Sequence, residues 1–506
     1  MNSFPGALPQ RLRSDAARQW LYAAGVFALL CFALLSLIAP LRAADLFDAY
    51  GIVLSAVLFG VFLARWGLTS EACVRLYLFY LLWLLVSRWL NGDVYLFIDR
   101  EQVYLNMLSF LFFSLGVVLS PEGRRRLLNV LTAVYAGFFV LFSLLGLFVA
   151  VTNTYIHVPP ENVWITIRSS GNPLPLLNLL SSFRLVGAAR LFLSWGLLGY
   201  QAARTRKTGL RILLVLGMLV LHTAIALCFS HTIWIALSLC YGMFVLLLGL
   251  RRLRMRSAVL RALLLAAVSI LAILASYKSL DFLLHHRETL SAELAPRFAQ
   301  RYEAWEHKPD PEYFGIAAPE QPAPVLELAR STQEELAQSG DIYLDPPRGY
   351  NQVLTLSWRT LIWESVFYCA RKNPALLLRG QSGKTLMDTT NNYLFGVYRL
   401  PKQPNMHNSF LQVLMLTGLP GFLALVAWAL LIIVRMVRVF FSRADAVPFS
   451  IAFLTIPLTG MFIFSMMESE LFPAYDSSTK VFLMLAGIFL GMYRELFPKA
   501  GAPASE

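Results

Sequence analysis

Charge is the scarcest ingredient of this 506-residue chain: Asp, Glu, Lys and Arg together make up 14%, against about a quarter in soluble domains. That excludes an ordinary soluble globular protein. Cysteine is nearly as sparse, with five in the chain. Cys31, Cys73, Cys228 and Cys240 lie within or at the ends of apolar runs, and Cys369 alone falls in a long loop. Their spacing fits neither a disulfide scaffold nor a metal site. Internal repeats and low-complexity tracts are missing too, which removes the related halves that many transporters display. The N-terminal region carries no small-residue cleavage site, so the first apolar run is expected to be a retained helix.

What the chain has instead is hydrophobic residues, 57% of the total, with a mean hydropathy of +0.60. They come in runs long enough to cross a bilayer, which needs about 20 apolar residues per helix. The runs fall at roughly 20–40, 47–66, 72–90, 102–120, 127–151, 184–203, 209–229, 231–250, 257–276, 409–436, 447–467 and 478–496. The expected fold is therefore an all-α polytopic membrane protein with about 12 transmembrane helices and a large external loop before helix 10.

The net charge of +13 resides in short clusters between these runs, a pattern of membrane anchoring and not of nucleic-acid binding. The clusters also orient the chain. The N-terminal "RLRSDAAR" and the even loops "ARWGLTSEACVR", "SPEGRRR", "ARTRKTGLR", "RRLRMR" and "RMVRVFFSR" hold the Lys/Arg excess. The odd loops "LRAADLFDAY", "NGDVYLFIDREQ", "SHT" and "MMESELFPAYDSS" are poor in Lys/Arg or acidic. Both termini are thereby expected in the cytoplasm.

On that orientation residues 1–276 carry nine spans, 277–408 form the large external loop, and 409–506 carry the last three spans and a cytoplasmic tail. Two external segments are more than connectors. Residues 152–183 have the Pro, Asn and Trp content of an interfacial loop. The loop 277–408 is long enough to carry function. Its first part, 281–350, is an acidic, Pro-dotted insert with 13 Asp/Glu against 6 Lys/Arg. Its later part, "LSWRTLIWESVFYCARKNP", has apolar residues at 358, 362, 366 and 369, the spacing of an amphipathic helix (near 357–372) lying on the membrane face. Pro374 and the glycines of "RGQSGK" end it.

Four basic groups converge on the external side near bilayer depth: Arg184 opening the sixth span, His231 in the turn before the eighth, Arg359 on the amphipathic helix and His407 before the tenth. Charges there are costly unless they serve a purpose. Arginine grips phosphate oxygens bidentately, and a neutral histidine accepts a proton from a hydroxyl. The combination points to a phosphorylated lipid or lipid-linked substrate. Simpler readings stand beside it. His407 can be an interfacial histidine satisfied by water, Arg359 an arginine snorkelling to headgroups, Arg184 a cap on its span, His231 a residue buried in a tight turn and Trp363 a packing anchor. Glu468 and Glu470, in "MMESELF", read most simply as acidic residues of an ordinary outer loop, though they can also pair with the arginines or contact sugar.

Two stretches then resemble a known family. "RTLIWESVFYCARKNPALLLRGQSG" (359–383) is similar to the Arg-x3-Trp helix of the bacterial O-antigen ligase/polymerase family, membrane glycosyltransferases of the C-type superfamily. "HNSFLQVLMLTGLPG" (407–421) resembles its His-Asn-x-x-Leu-x6-Gly-x-x-Gly signature. The order of spans around a late external loop agrees. The resemblance implies a plasma-membrane enzyme that moves a glycan from an undecaprenyl-diphosphate-linked donor to an acceptor hydroxyl on the outer face, without metal or other cofactor. It implies His407 as general base and Arg359 as the group that holds the diphosphate. Arg184, in "RLVG", resembles an Arg-x-x-Gly that opens a family helix. His231 departs from the pattern: relatives often place Ser-Arg where this chain has Ser230-His231, and a histidine binds phosphate without an arginine fork. The ligase reading leads, a polymerase of the same family is the alternative, and a lipid-linked glycan transporter or flippase is the rival of another class. The Gly-Leu-Pro-Gly of 418–421 is expected to bend its helix and allow close approach of a neighbour.

Overall fold

The computed structural model describes residues 15–35, 46–66, 71–91, 100–152, 155–156, 167–168, 184–227, 231–252, 267, 271, 355–381, 406–443, 445–468 and 477–498. In chain order the helices are α1 (Asp15–Leu35), α2 (Leu46–Arg65), α3 (Ala72–Leu90), α4 (Arg100–Val118), α5 (Pro121–Leu131), a π turn (Thr132–Ala136), α6 (Gly137–Thr152), α7 (Arg184–Arg204), α8 (Thr208–Leu227), α9 (His231–Arg252), α10 (Thr355–Lys372), α11 (Ala375–Arg379), α12 (Ser409–Phe441), α13 (Phe449–Met467) and α14 (Ser477–Leu496). A helix stands at every expected span except 257–276, which lies almost wholly outside the described residues, as does the insert 281–350. Five helical stretches, 72–90, 121–144, 208–225, 409–441 and 449–467, are long and apolar enough to cross a membrane by length and composition. One feature within 152–183 is not helical: Tyr155–Ile156 (β1) pairs antiparallel with Ile167–Arg168 (β2).

Small residues set the spacing of the bundle. A Cβ on Gly196 would come within 2.5 Å of Pro457, one on Gly199 within 2.4 Å of Phe453, and one on Gly460 within 2.3 Å of Phe192. Numbers rise on α7 as they fall on α13, so the two run antiparallel in close contact. The Cys240 thiol donates to the Ile456 carbonyl at 3.3 Å, which ties α9 to the same helix. This register brings the first residues of α7 and α9, Arg184 and His231, to the C-terminal end of α13. Elsewhere Tyr77, Phe113 and Trp428 pack ring against ring at 5.5–5.7 Å and join α3, α4 and α12.

The Gly-Leu-Pro-Gly segment is where the structure most exceeds expectation. Gly418 adopts φ 69°, ψ −172°, a break inside α12 that a side chain would strain. The neighbour it admits is not another spanning helix but the short α11 and the turn after it. A Cβ on Gly418 would lie 2.5 Å from the Leu378 carbonyl oxygen, and one on Gly380 (φ 72°) 2.4 Å from that of Leu416. Pro420 has no N–H, so the break frees carbonyls at 415–417. A bare carbonyl in hydrocarbon costs several kcal/mol. Each is occupied: Gln381 N donates to Met415 at 2.7 Å, Ser87 Oγ to Leu416 at 3.0 Å and Trp83 Nε1 to Thr417 at 2.7 Å. The bend is thus a socket that seats the segment following α10.

The opposite end of the bundle is held by paired charges. Arg435 Nη1 donates to Glu71 Oε1 at 2.5 Å, and its guanidinium lies over the Tyr493 ring, 5.3 Å from the centroid. Arg124 pairs with Glu495. Arg438 sits 4.3 Å above the Phe497 ring and donates to the Tyr493 hydroxyl at 3.1 Å. Ser120 caps α5 by accepting from Gly123 N at 3.2 Å, with Pro121 at the first helical position.

Candidate active site

Helix α10 brings Arg359 to the bundle. Ile362, Val366 and Cys369 share one face of it and are buried, as the spacing predicts. That face does not lie on lipid, however. It packs against Met406, Met415 and Leu416 beside the bend in α12, with Leu376 of α11 in the same cluster. An apolar stripe looks the same in sequence whether protein or lipid covers it. Arg359 falls one turn before Ile362 on this inward side, its side chain 12% exposed. Burial raises the Cys369 thiol above its ordinary range, which makes it a packing group and not a nucleophile.

His407 and Asn408 divide the labour at the start of α12. Asn408 Oδ1 accepts from the N–H groups of Phe410 and Leu411, both at 3.0 Å, and so caps the helix. Its Nδ2 donates to the Met466 carbonyl at 2.8 Å, tying the cap to the end of α13. His407 takes φ 48°, an uncommon conformation for a residue with a side chain; holding it costs about 1–2 kcal/mol. Trp363 Nε1 pins the preceding residue by donating to the Met406 carbonyl at 3.2 Å.

All of this converges on one carboxylate. Glu468, directly after α13, is 1% exposed. Arg359 Nη2 donates to its Oε1, and Thr232 Oγ1 donates to the same oxygen at 3.1 Å. Arg359 Nη1 donates to Thr232 Oγ1 at 3.2 Å, which closes a ring of three groups. The other oxygen, Oε2, lies 3.1 Å from His407 Nδ1. The backbone of Glu468 is fixed as well, its carbonyl accepting from Ser409 N at 3.1 Å and Ser409 Oγ at 2.7 Å. Removing one partner of such a buried pair leaves an uncompensated charge worth about 3–5 kcal/mol.

The ordinary-loop reading of Glu468 is therefore overturned: it is the point at which Arg359 and His407 meet. Glu470 lies outside the described residues. Of the other two basic groups, Arg184 opens α7 and His231 opens α9, both at this end by register, while their side chains lie outside the described residues. The residue after His231, Thr232, is the one whose side chain reaches the cluster. Three buried cations escape notice in the sequence, Arg88, Arg190 and Lys480. Each lies toward the Glu468 end of its helix, and a single cation inside an apolar run carries no local sign in the sequence that it is buried.

The fold and this cluster define the class: a multi-pass helical membrane protein with a buried, charged polar site at one end of its bundle. The family model for O-antigen ligase matches residues 213–426. That match supports assigning the chain to the O-antigen ligase family, and with it a membrane glycosyltransferase-like role in polysaccharide biosynthesis. The matched stretch includes Thr232, Arg359, His407 and the bend of α12, and stops short of Glu468. No curated protein and no solved structure matches the chain.

Proposed function

We propose that the protein is a ligase-type glycosyltransferase that moves a glycan from an undecaprenyl-diphosphate-linked donor to an acceptor hydroxyl at the outer face of the bacterial plasma membrane. The observation that carries this reading is the convergence of a histidine and an arginine on one buried carboxylate. An ionised carboxylate only accepts hydrogen bonds, so a neutral His407 donates to Glu468 from Nδ1 and offers Nε2 as its basic nitrogen. In the transfer, the acceptor oxygen bonds to the anomeric carbon while its proton passes to Nε2. The bond between that carbon and the diphosphate breaks, and the departing lipid diphosphate keeps the electron pair. Arg359 neutralises the charge that develops there, with Arg184 and His231 as further donor-binding groups. Diphosphate is already a competent leaving group, so positioning and charge stabilisation are the enzyme's main tasks, and the metal-independence expected from the resemblance is part of this reading.

The bend in α12 bears on the rival class. Transporters use unwound helices to offer carbonyls to ions and substrates; here the carbonyls of Met415, Leu416 and Thr417 are taken by protein donors. That favours transfer over transport. Purified protein in nanodiscs with EDTA, given a lipid-diphosphate-linked oligosaccharide and candidate acceptors in turn, tests the reading. Transfer that depends on His407 and Arg359 supports it, and a glycolipid acceptor or a second repeat unit selects ligase or polymerase. Undiminished transfer by His407→Ala and Arg359→Ala removes the site.

A further inference from the structure

We propose that Glu468 is a positioning residue shared between two tasks, and that donor binding hands it from Arg359 to His407. The inference rests on the transferase reading above and deepens it. In this structure one oxygen of Glu468 is held by Arg359 and Thr232 and the other faces His407 Nδ1. The negative charge of the carboxylate is thus divided between a permanent cation and a histidine.

A lipid diphosphate needs the guanidinium that Glu468 now holds. When its oxygens take Arg359, the carboxylate keeps Thr232 and His407 as partners. Its full charge then stabilises the imidazolium that forms as Nε2 takes the acceptor's proton. Glu468 itself gains no proton; it holds the Nδ1–H and the ring orientation. Acceptor activation accordingly follows donor occupancy. Two features keep the carboxylate in place during the exchange. Its backbone carbonyl is bonded to Ser409 N and Oγ, and the Asn408 cap ties the start of α12 to Met466.

The test separates turnover from donor affinity in the full-length protein, using undecaprenyl diphosphate as the binding probe. In Glu468→Gln the amide matches the shape, but its NH2 facing His407 Nδ1 moves the ring proton to Nε2, the wrong tautomer. Turnover at saturating donor should fall ~10²–10⁴-fold, as for other histidine bases that lose their carboxylate. The probe should bind more tightly, since Arg359 loses its charged competitor. The opposite signs are the signature. A mere brace for the fold would lower turnover, probe affinity and melting temperature together, and that outcome overturns the proposal, as does unchanged turnover. If Glu468→Gln does not fold, Glu468→Asp carries the test. It should lose at least ~10-fold in turnover with probe affinity kept, and equal losses in both overturn the proposal. Loss of transfer in His407→Ala and Arg359→Ala with normal turnover in Glu468→Gln would sink this inference alone. Full transfer in all three would remove the site on which it rests, and no transfer by the wild type with any acceptor would sink the transferase reading itself.

Discussion

The two ends of the helix bundle both hold buried charge, and they use it differently. At the Arg435 end the described pairs are one to one, Glu71 with Arg435 and Glu495 with Arg124, and the Tyr493 ring covers a face of the Arg435 guanidinium. Each pair joins the end of one helix to the beginning of another. At the His407 end a single carboxylate serves an arginine, a threonine and a histidine, and the histidine sits in a strained backbone conformation. One-to-one pairing is what stapling requires. A carboxylate shared by three side chains, one of them on a strained backbone, is the kind of arrangement that clusters at functional sites. The comparison supports placing the proposed site at the His407 end, whichever end faces outward.

On this contrast, replacing His407 removes chemistry before stability, and replacing Arg435 removes stability before chemistry. The largest effect is expected for His407→Ala: transfer down by ~10²–10⁴-fold, the usual worth of a positioned base, measured as glycan transfer by folded protein. Arg359→Lys comes next. It keeps a charge but loses the fork that spans Glu468 and Thr232, and transfer should drop by about 10²-fold. Gly418→Ala attacks the socket beneath the site. The strained φ and the Leu378 carbonyl 2.5 Å from the new Cβ should cost about 2–4 kcal/mol, read as a lowered melting temperature and faster proteolysis near α11. The smallest effect is Arg435→Gln, which leaves Glu71 without its cation and should cost about 1–3 kcal/mol while transfer per folded molecule stays near wild type.

The sequence reveals these regions unequally. Helix positions are legible because burial in a bilayer demands long apolar runs, and the described helices fall where those runs do. His407 and Arg359 are legible because each stands in a local motif. Glu468 is not, because its partners lie 61, 109 and 236 residues away, and nothing in "MMESELF" distinguishes it from Glu470. Thr232 is not legible either, since an uncharged hydroxyl next to His231 carries no local signal. The glycines of 418–421 announce a bend, but the partner that fills it, the turn after α11, depends on a left-handed Gly380 38 positions earlier. Local chemistry is written in local letters; a meeting of four helices is not.

The most direct measurement sets the two ends against each other in one assay, glycan transfer per folded molecule by His407→Ala and by Arg435→Gln, with melting temperatures taken alongside. The account predicts that His407→Ala melts near wild type and transfers almost nothing, while Arg435→Gln melts lower and transfers normally. Substantial transfer by His407→Ala, or equal loss at both ends, would contradict it.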